Sequence, residues 1–463
     1  MVAAPMDQRV ARAGTPAGGR GVLIVTTNFP PDRRAGTHRL LRFARNLDAL
    51  GWRVVVLTMD PRSYRPGVPV DDRLLREIPA SVVVGRTRVP WRAEAPPAPS
   101  AGTAAGAPTT APARASRPRG RVERTIRKFW QDLTTTPDPE LAWWLPTVPE
   151  GAALARAHRL DVILSSAPPF TPHLAAAEIA RRTKLPWVAD FRDPWSRAPW
   201  VLDQRTRGWT GWVHQRLERM TIGRASRVVL NTRPMQQDFM AHYPPAMASK
   251  FLTIPNGFDS EALERGLRPV ARTAPASTLV LCHTGNLYQA RDPRPLLRAL
   301  ATVLTDGSMP ADAFRLQLVG GAGGEFDTAN EVARLGIAHA VEFVPPVSHG
   351  ESLGYLRAAD VLLVVQPDTA VQVPVKLYEY LWARKPILAM ASAGAVADLV
   401  TDGKVGIVVA ADDDRAIAEA LREFQRRRAT LGADYVAPAA FLEQLEGTTL
   451  TRRLHDVLMD LTA

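Results

Sequence analysis

The stretch Pro374-Val375-Lys376-Leu377-Tyr378-Glu379-Tyr380-Leu381 sets a lysine, and three residues later a carboxylate, into the first turns of a helical pattern. A helix N-terminus already favours negative charge through its free N–H groups and its dipole, so Lys376 can meet a phosphate there. Glu379 can accept the hydroxyls of a ribose. The competing reading is a solvated ion pair on an ordinary helix. The surroundings favour the first. Val361-Leu362-Leu363-Val364-Val365 before it and Ile387-Leu388-Ala389-Met390 after it read as buried strands, and strand, loop, helix, strand is half of a nucleotide-binding crevice.

The same order recurs near the start of the chain. A strand over 21–27, a turn at 28–32, a helix over 37–50 and a strand over 54–58 form a unit of the parallel, doubly wound kind. Its loop Arg33-Arg34-Ala35-Gly36-Thr37 would offer the backbone N–H groups of Gly36 and Thr37 to an anion. Strands over 161–165, 187–190 and 227–231, with helices over 171–182 and 211–225, continue the alternation. The turn-forming Ile254-Pro255-Asn256-Gly257-Phe258-Asp259 and the polar stretch after it mark a boundary. Strands then restart at 278–283, 315–319, 340–343, 361–365, 387–390 and 406–409. Two Rossmann-like domains in tandem follow: an N-terminal one over 21–260 and a C-terminal one over 278–435. Helices over 436–463 are expected to return to the first.

At 463 residues the chain exceeds what one hydrophobic core usually fills. No apolar run approaches the roughly 18 residues of a membrane-spanning helix, and the N-terminus lacks a hydrophobic signal core, so a cytoplasmic location is expected. Cys282 is the single cysteine, which excludes an intramolecular disulfide and suits a small buried group in a strand. The net charge of +12 points to an anionic partner. Nucleic acid is the weakest choice, because the basic residues are scattered without aromatic interleaving.

Residues 1–20 read as a disordered leader and 93–120, rich in Ala, Pro, Gly, Ser and Thr, as a flexible insertion. A basic amphipathic helix over 121–133 brings Val122, Ile126, Phe129 and Trp130 close to one face. It suits either an anionic membrane interface or packing on the N-terminal domain. The run Gly320-Gly321-Ala322-Gly323-Gly324 lacks dinucleotide-motif spacing. Asp412-Asp413-Asp414 precedes a helix, where aspartates cap free N–H groups. His38, His173 and His283 show no metal-ligand spacing.

In sequence the chain resembles the family 4 glycosyltransferases of the GT-B fold, in the branch found in bacterial polysaccharide and cell-envelope glycan clusters. The resemblance runs from about residue 22 to the C-terminus outside 93–120. It rests on Phe29-Pro30-Pro31, Ser165-Ser166-Ala167-Pro168-Pro169-Phe170, Asp190-Phe191-Arg192-Asp193-Pro194-Trp195, Ile254-Pro255-Asn256-Gly257-Phe258-Asp259, His283-Thr284-Gly285-Asn286-Leu287-Tyr288 and Lys376-Leu377-Tyr378-Glu379-Tyr380-Leu381, all in order. It implies an α/β protein with two Rossmann-like domains facing a central cleft. The implied activity is retaining transfer of a sugar from a nucleotide-diphosphate donor to a glycan or lipid-linked acceptor, with no metal or other cofactor required. An anionic membrane surface would be a further partner, placing the protein at the inner face of the plasma membrane.

In such a transfer negative charge collects on the departing diphosphate, and fixed cations and N–H groups must stabilise it. Lys376 and Arg291 take that role by position in the resemblance. Gly36, Thr37, Gly285, Asn286, Leu377, Tyr378 and Glu379 would contact the donor. Glu379 matches the second glutamate of the family's paired motif, but Val371 stands where the first should be, with Gln372 or backbone near Val373 as substitutes. Asp190 and Arg192 would face the acceptor and Asp193 could take its proton. Alternatively these are a structural group in which Arg192 satisfies the aspartates and Trp195 fills the core. Two other functions fit the same pattern: a nucleotide-sugar epimerase, and a catalytically silent nucleotide-sugar or glycan-binding protein.

Overall fold

The computed structural model describes residues 19–89, 92, 135–197, 209–287, 291–307, 309–310, 312–320, 326–367 and 369–463. The leader up to residue 18, the 93–120 insertion, the 121–133 helix, Tyr288 and residues 321–325 lie outside the described residues. The rest divides into two compact units. The first takes the described residues of Met1–Asn231, Met240–Ile254 and Thr451–Ala463, and the second Thr232–Phe239 and Pro255–Leu450.

The first unit is built on a parallel seven-stranded sheet, in the order β3-β2-β1-β4-β5-β6-β7. Its strands are β1 (Gly21–Val25), β2 (Arg53–Met59), β3 (Val83–Thr87), β4 (Val162–Ala167), β5 (Trp187–Phe191), β6 (Arg227–Leu230) and β7 (Phe251–Thr253). Strands β1, β4 and β5 are buried along their whole length, because helices cover both faces of a parallel sheet and each side chain then needs an apolar partner. Val22 aligns with Val54 on one side and Val162 on the other. The winding therefore reverses between β1 and β4, where loops from their carboxyl ends leave a crevice. Helix Ala35–Ala49 follows β1 and buries Leu40, Leu41, Phe43, Ala44 and Leu47, spaced to give one apolar stripe. Residues 451–462 add to this unit: Trp52 Nε1 donates to His455 Nδ1 at 2.8 Å, and Asn46 Nδ2 to Thr451 Oγ1 at 3.3 Å.

The second unit holds a parallel six-stranded sheet, in the order β10-β9-β8-β11-β12-β13. The strands are β8 (Leu279–Thr284), β9 (Phe314–Val319), β10 (Val341–Val344), β11 (Val361–Gln366), β12 (Ile387–Ala391) and β13 (Gly406–Val409). One face packs Leu353, Leu377, Tyr380, Val396 and Leu445 from its helices, and the other Leu296, Leu300, Ile417, Leu421 and Phe424. Here the winding reverses between β8 and β11. Asp413 caps helix Asp414–Arg426 by accepting from Ala416 N at 2.9 Å, as the aspartate run suggests, and Asp414 pairs with Arg298. Cys282 is buried in β8, and burial first, then the charge of Glu342, pushes its thiol up to about 12. No helix among the described residues is long and apolar enough to cross a membrane.

Candidate active site

In the second unit the loops after β8 and β11 meet at the winding reversal. Helix Val375–Ala383 starts just beyond β11 behind Pro374, with no side chain capping its N-terminus. Lys376, in its first turn, donates from Nζ to the Thr284 carbonyl at the end of β8, at 2.6 Å. An ammonium has three donors, so this anchor fixes the amine while sparing others for a ligand. The next residue, Gly285, has φ +98, and a Cβ there would come within 2.8 Å of the Lys376 amine. A side chain at 285 is therefore opposed both by backbone conformation and by the lysine it would strike. Burial, then the nearby charge of Arg291, pulls the Lys376 amine down to about 8, with Glu379 opposing.

Arg291 reaches the same place. Its Nε and Nη2 donate to Gln366 Oε1 at 3.1 and 2.9 Å, which ties the guanidinium to the end of β11. Glu379, one turn along the helix from Lys376, meets His349 Nε2 at 2.9 Å. His283, on β8, is buried, with Nδ1 3.0 Å from the Leu363 carbonyl and Nε2 without a partner. Burial, reinforced by the charge of Lys376, pulls it down to about 3, so the ring is neutral at pH 7. The structure thus gathers Lys376, Arg291, Gly285 and Glu379. Gln366 and His349 were not anticipated, and their positions 75 residues from Arg291 and 30 from Glu379 left no local signal.

Two residues placed at the donor by motif position belong elsewhere. Leu377 and Tyr378 are buried in the core, on the side of the helix that must face the sheet, and the Leu377 N–H is engaged by the Pro374 carbonyl at 3.0 Å. Asn286 is exposed. Around Val371, the loop is held through its main chain. Thr232 Oγ1 donates to the Val371 carbonyl at 2.6 Å, and Ala395 N to the Ala370 carbonyl at 2.7 Å. Val373 is buried, and Gln372 is half-buried.

The first unit has its own charged group at the reversal between β1 and β4. Arg192, just after β5, is buried beneath the start of helix Ala35–Ala49. It donates from Nε to the Ala167 carbonyl at 3.3 Å, from Nη2 to Asn28 Oδ1 at 3.0 Å, and also from Nη2 to the Pro168 carbonyl. Nη1 is buried without a partner, as is the hydroxyl of Thr37. A Cβ on Gly36 would lie 1.3 Å from that Nη1, so only glycine lets the guanidinium occupy this position. Burial pulls Arg192 down to about 10, opposed by the charges of Asp190 and Asp193, and it remains a cation at pH 7. The arrangement is a fixed, buried positive charge next to a helix N-terminus, a field that favours an anion nearby.

Here too the sequence expectation needs correcting. Thr37 does not offer its N–H, which the Arg34 carbonyl takes at 2.9 Å. Asp190 is not a cleft residue. It is buried and held by Arg39, from Nη2 at 2.7 Å and Nε at 3.1 Å, with Ser166 Oγ donating at 2.6 Å. Burial pushes its carboxyl up, but Arg39 and Ser166 outweigh that and hold it below its ordinary value. Arg39, a helix residue, was not singled out in the sequence. Trp195 fills the core beside Phe170, as the structural alternative foresaw. Asp193 is half-buried beside Arg192. Among the described residues no group of three or more His, Cys, Asp or Glu side chains is placed to hold a metal ion.

Two doubly wound units, each with a fixed cation at its winding reversal, define an α/β protein of the GT-B kind. The family comparison agrees: residues 35–257 match the Glycosyl transferase 4-like domain and residues 278–426 the Glycosyl transferases group 1 domain. The chain belongs to this group 1, family 4-like glycosyltransferase family. It is 32% identical over 225 residues to a D-inositol 3-phosphate glycosyltransferase of Geodermatophilus obscurus, covering 47% of this chain and 49% of that protein. The chain spans about half the length of the curated relatives it matches. The solved structure of Anabaena HepE in complex with UDP is similar at a TM-score of 0.61 and 15% identity, covering 95% of this chain and 100% of that one. The sucrose-phosphate synthase of Thermosynechococcus elongatus is similar at 0.58 and 16%, covering 96% and 99%. At such identities the likeness concerns the fold.

Proposed function

We propose that the protein transfers a sugar from a nucleoside-diphosphate donor to a hydroxyl acceptor, with retention at the anomeric carbon and without a metal requirement. The observation that carries this reading is the Lys376 amine, pinned on the Thr284 carbonyl against Gly285 and reinforced by Arg291. As the bond from the anomeric carbon to the diphosphate oxygen breaks, charge grows on that oxygen, and cations already in place stabilise it without reorganising. Glu379, oriented by His349, would accept from the ribose hydroxyls. That the HepE structure holds UDP supports a nucleoside-diphosphate donor.

In the first unit, the positive charge of Arg192 next to the start of helix Ala35–Ala49 favours an acceptor that carries phosphate. A phosphorylated polyol and a lipid-linked glycan phosphate share that chemistry. The named activity of the curated relatives supports the first, and the sequence resemblance to cell-envelope enzymes the second. Asp193 is the carboxylate nearest in sequence to that group, and in front-face retention the departing phosphate can itself take the acceptor proton.

The test is turnover of a panel of nucleoside-diphosphate sugars with inositol phosphate or with membrane lipid extract as acceptor, followed by mass spectrometry and by NMR of the product anomer. A glycosylated product is expected with one of the two. Nucleotide-sugar isomerisation in the absence of acceptor would replace the reading with an epimerase. Binding without turnover would make the protein a sensor. Lys376→Ala is expected to lower kcat by about a hundredfold or more, in line with loss of one preorganised charge stabiliser, while the melting temperature holds.

A further inference from the structure

Helix Trp209–Arg224 of the first unit is turned inside out. The residues it buries are Thr210, Gly211, His214, Glu218, Thr221 and Ile222, mostly polar. Each of the two larger ones is engaged. Trp195 Nε1 donates to His214 Nδ1 at 3.0 Å, while Glu218 accepts from Ser196 N at 2.5 Å, from Arg197 Nη1 at 3.1 Å and from the Tyr243 hydroxyl. The opposite arc carries Trp209, Trp212, Val213, Leu217 and Met220, together with Arg216, Arg219 and Arg224. Trp212 is 63% exposed and Trp209 39%. A helix on a water-soluble surface ordinarily shows the reverse distribution.

Charge on the arc is of one sign. The helix has one carboxylate, Glu218, and it points inward. Arg216, Arg219 and Arg224 form no ion pair among the described residues, whereas arginines on other helices do, such as Arg181 and Arg182 with Glu178 and Arg334 with Glu331; what sets this helix apart is that no exposed acid lies among its arginines. Lys250 adds a cation at the helix C-terminus, where Nζ donates to the Gly223 and Ala225 carbonyls at 2.9 Å each. Indole rings beside arginines, with aliphatic residues between and no acid, match the interfacial region of an anionic bilayer. Tryptophan sits there at headgroup depth, and arginine extends its charge to the phosphates. A second copy of the chain fits poorly, because a two-fold contact would set the same three arginines against themselves.

We propose that the outward face of helix Trp209–Arg224 docks the protein on an anionic membrane surface. This assignment differs from the 121–133 segment to which the sequence pointed, and it stands whether or not the transferase reading holds.

The test is flotation of the full chain with vesicles of phosphatidylcholine, with and without phosphatidylglycerol, over a range of salt. Binding is expected only with the anionic lipid, and to weaken as salt rises. The paired change Trp209→Ser and Trp212→Ser, and separately Arg216→Ala with Arg219→Ala, should each lower partitioning about tenfold, the arginine pair also flattening the salt dependence. Both variants should stay folded, with melting temperatures close to that of the wild type, since Trp212, Arg216 and Arg219 are exposed and Trp209 is partly so. Failure of the wild-type chain to float with anionic vesicles overturns the proposal. So does wild-type flotation of both variants, or a loss seen with Trp130→Ser and not with Trp212→Ser. A monomer–dimer shift on Trp212→Ser without any change in flotation would assign the face to a second copy and equally overturn it.

Discussion

In the proposed transfer Lys376 has the largest part, and its environment makes it sensitive to pH. With the amine pulled down to about 8 by burial and Arg291, the free protein loses that charge as pH rises through 8, whereas the unfolded chain keeps it to the ordinary value of 10.5. In that window the unfolded state binds more protons, so this group's contribution to stability rises with pH while its use to an anion falls. A diphosphate that requires the charged amine must then bring a proton with it. UDP binding measured by calorimetry is expected to be flat below pH 8 and to weaken about tenfold per pH unit above it. Lys376→Arg, which stays charged, should remove the slope. In the sequence, Lys376 and Glu379 stood out because strand and helix punctuation frames them, and Arg291 through its position in the family resemblance. Gln366 and His349, which aim two of them, are ordinary residues that only the fold brings near.

At the scale of elements, the interior of both sheets was legible and their margins were not. Every expected strand is present to within a few residues, because a strand buried on both faces must be an apolar run of the right length. The two strands that were missed, β3 and β7, are the two edges of the first sheet. β3 is half-exposed and contains Gly85, and β7 is three residues long, so neither carries that signature. The contact of helix Ala35–Ala49 with Arg192 was equally hidden, since 156 positions separate Gly36 from the arginine whose place it vacates. Gly36→Ala should destabilise the protein by about 1–3 kcal/mol in denaturant titration, as overpacking against a buried and bonded group does. Adding Arg192→Ala should recover part of that loss. Purely additive effects would show that the two do not touch.

For the molecule as a whole, two Rossmann-like halves could be read from the chain because the alternation of strand and helix stops and restarts. The boundary in the fold is less simple than one cut in the sequence. Residues Thr232–Phe239 group with the second unit, and residues Thr451–Ala463 group with the first. Net charge alone gave no docking surface, because basic residues are spread along the whole chain and many arginines are engaged by neighbouring carboxylates. Three that form no ion pair among the described residues, Arg216, Arg219 and Arg224, lie together on a helix whose apolar periodicity points the wrong way for a surface helix.

Helix Gly447–Thr462 gives this division a practical consequence. Because His455 meets Trp52 at the entry to β2, the sheet that starts at Gly21 receives a supporting piece from residues translated long after β7. Cutting the gene after Leu450 should leave an amino-terminal half that is made in full yet melts early and is nicked near Trp52 by protease. Supplying 451–463 on a short tether should restore it; equal melting temperatures with and without the tethered piece would show that the half matures unaided.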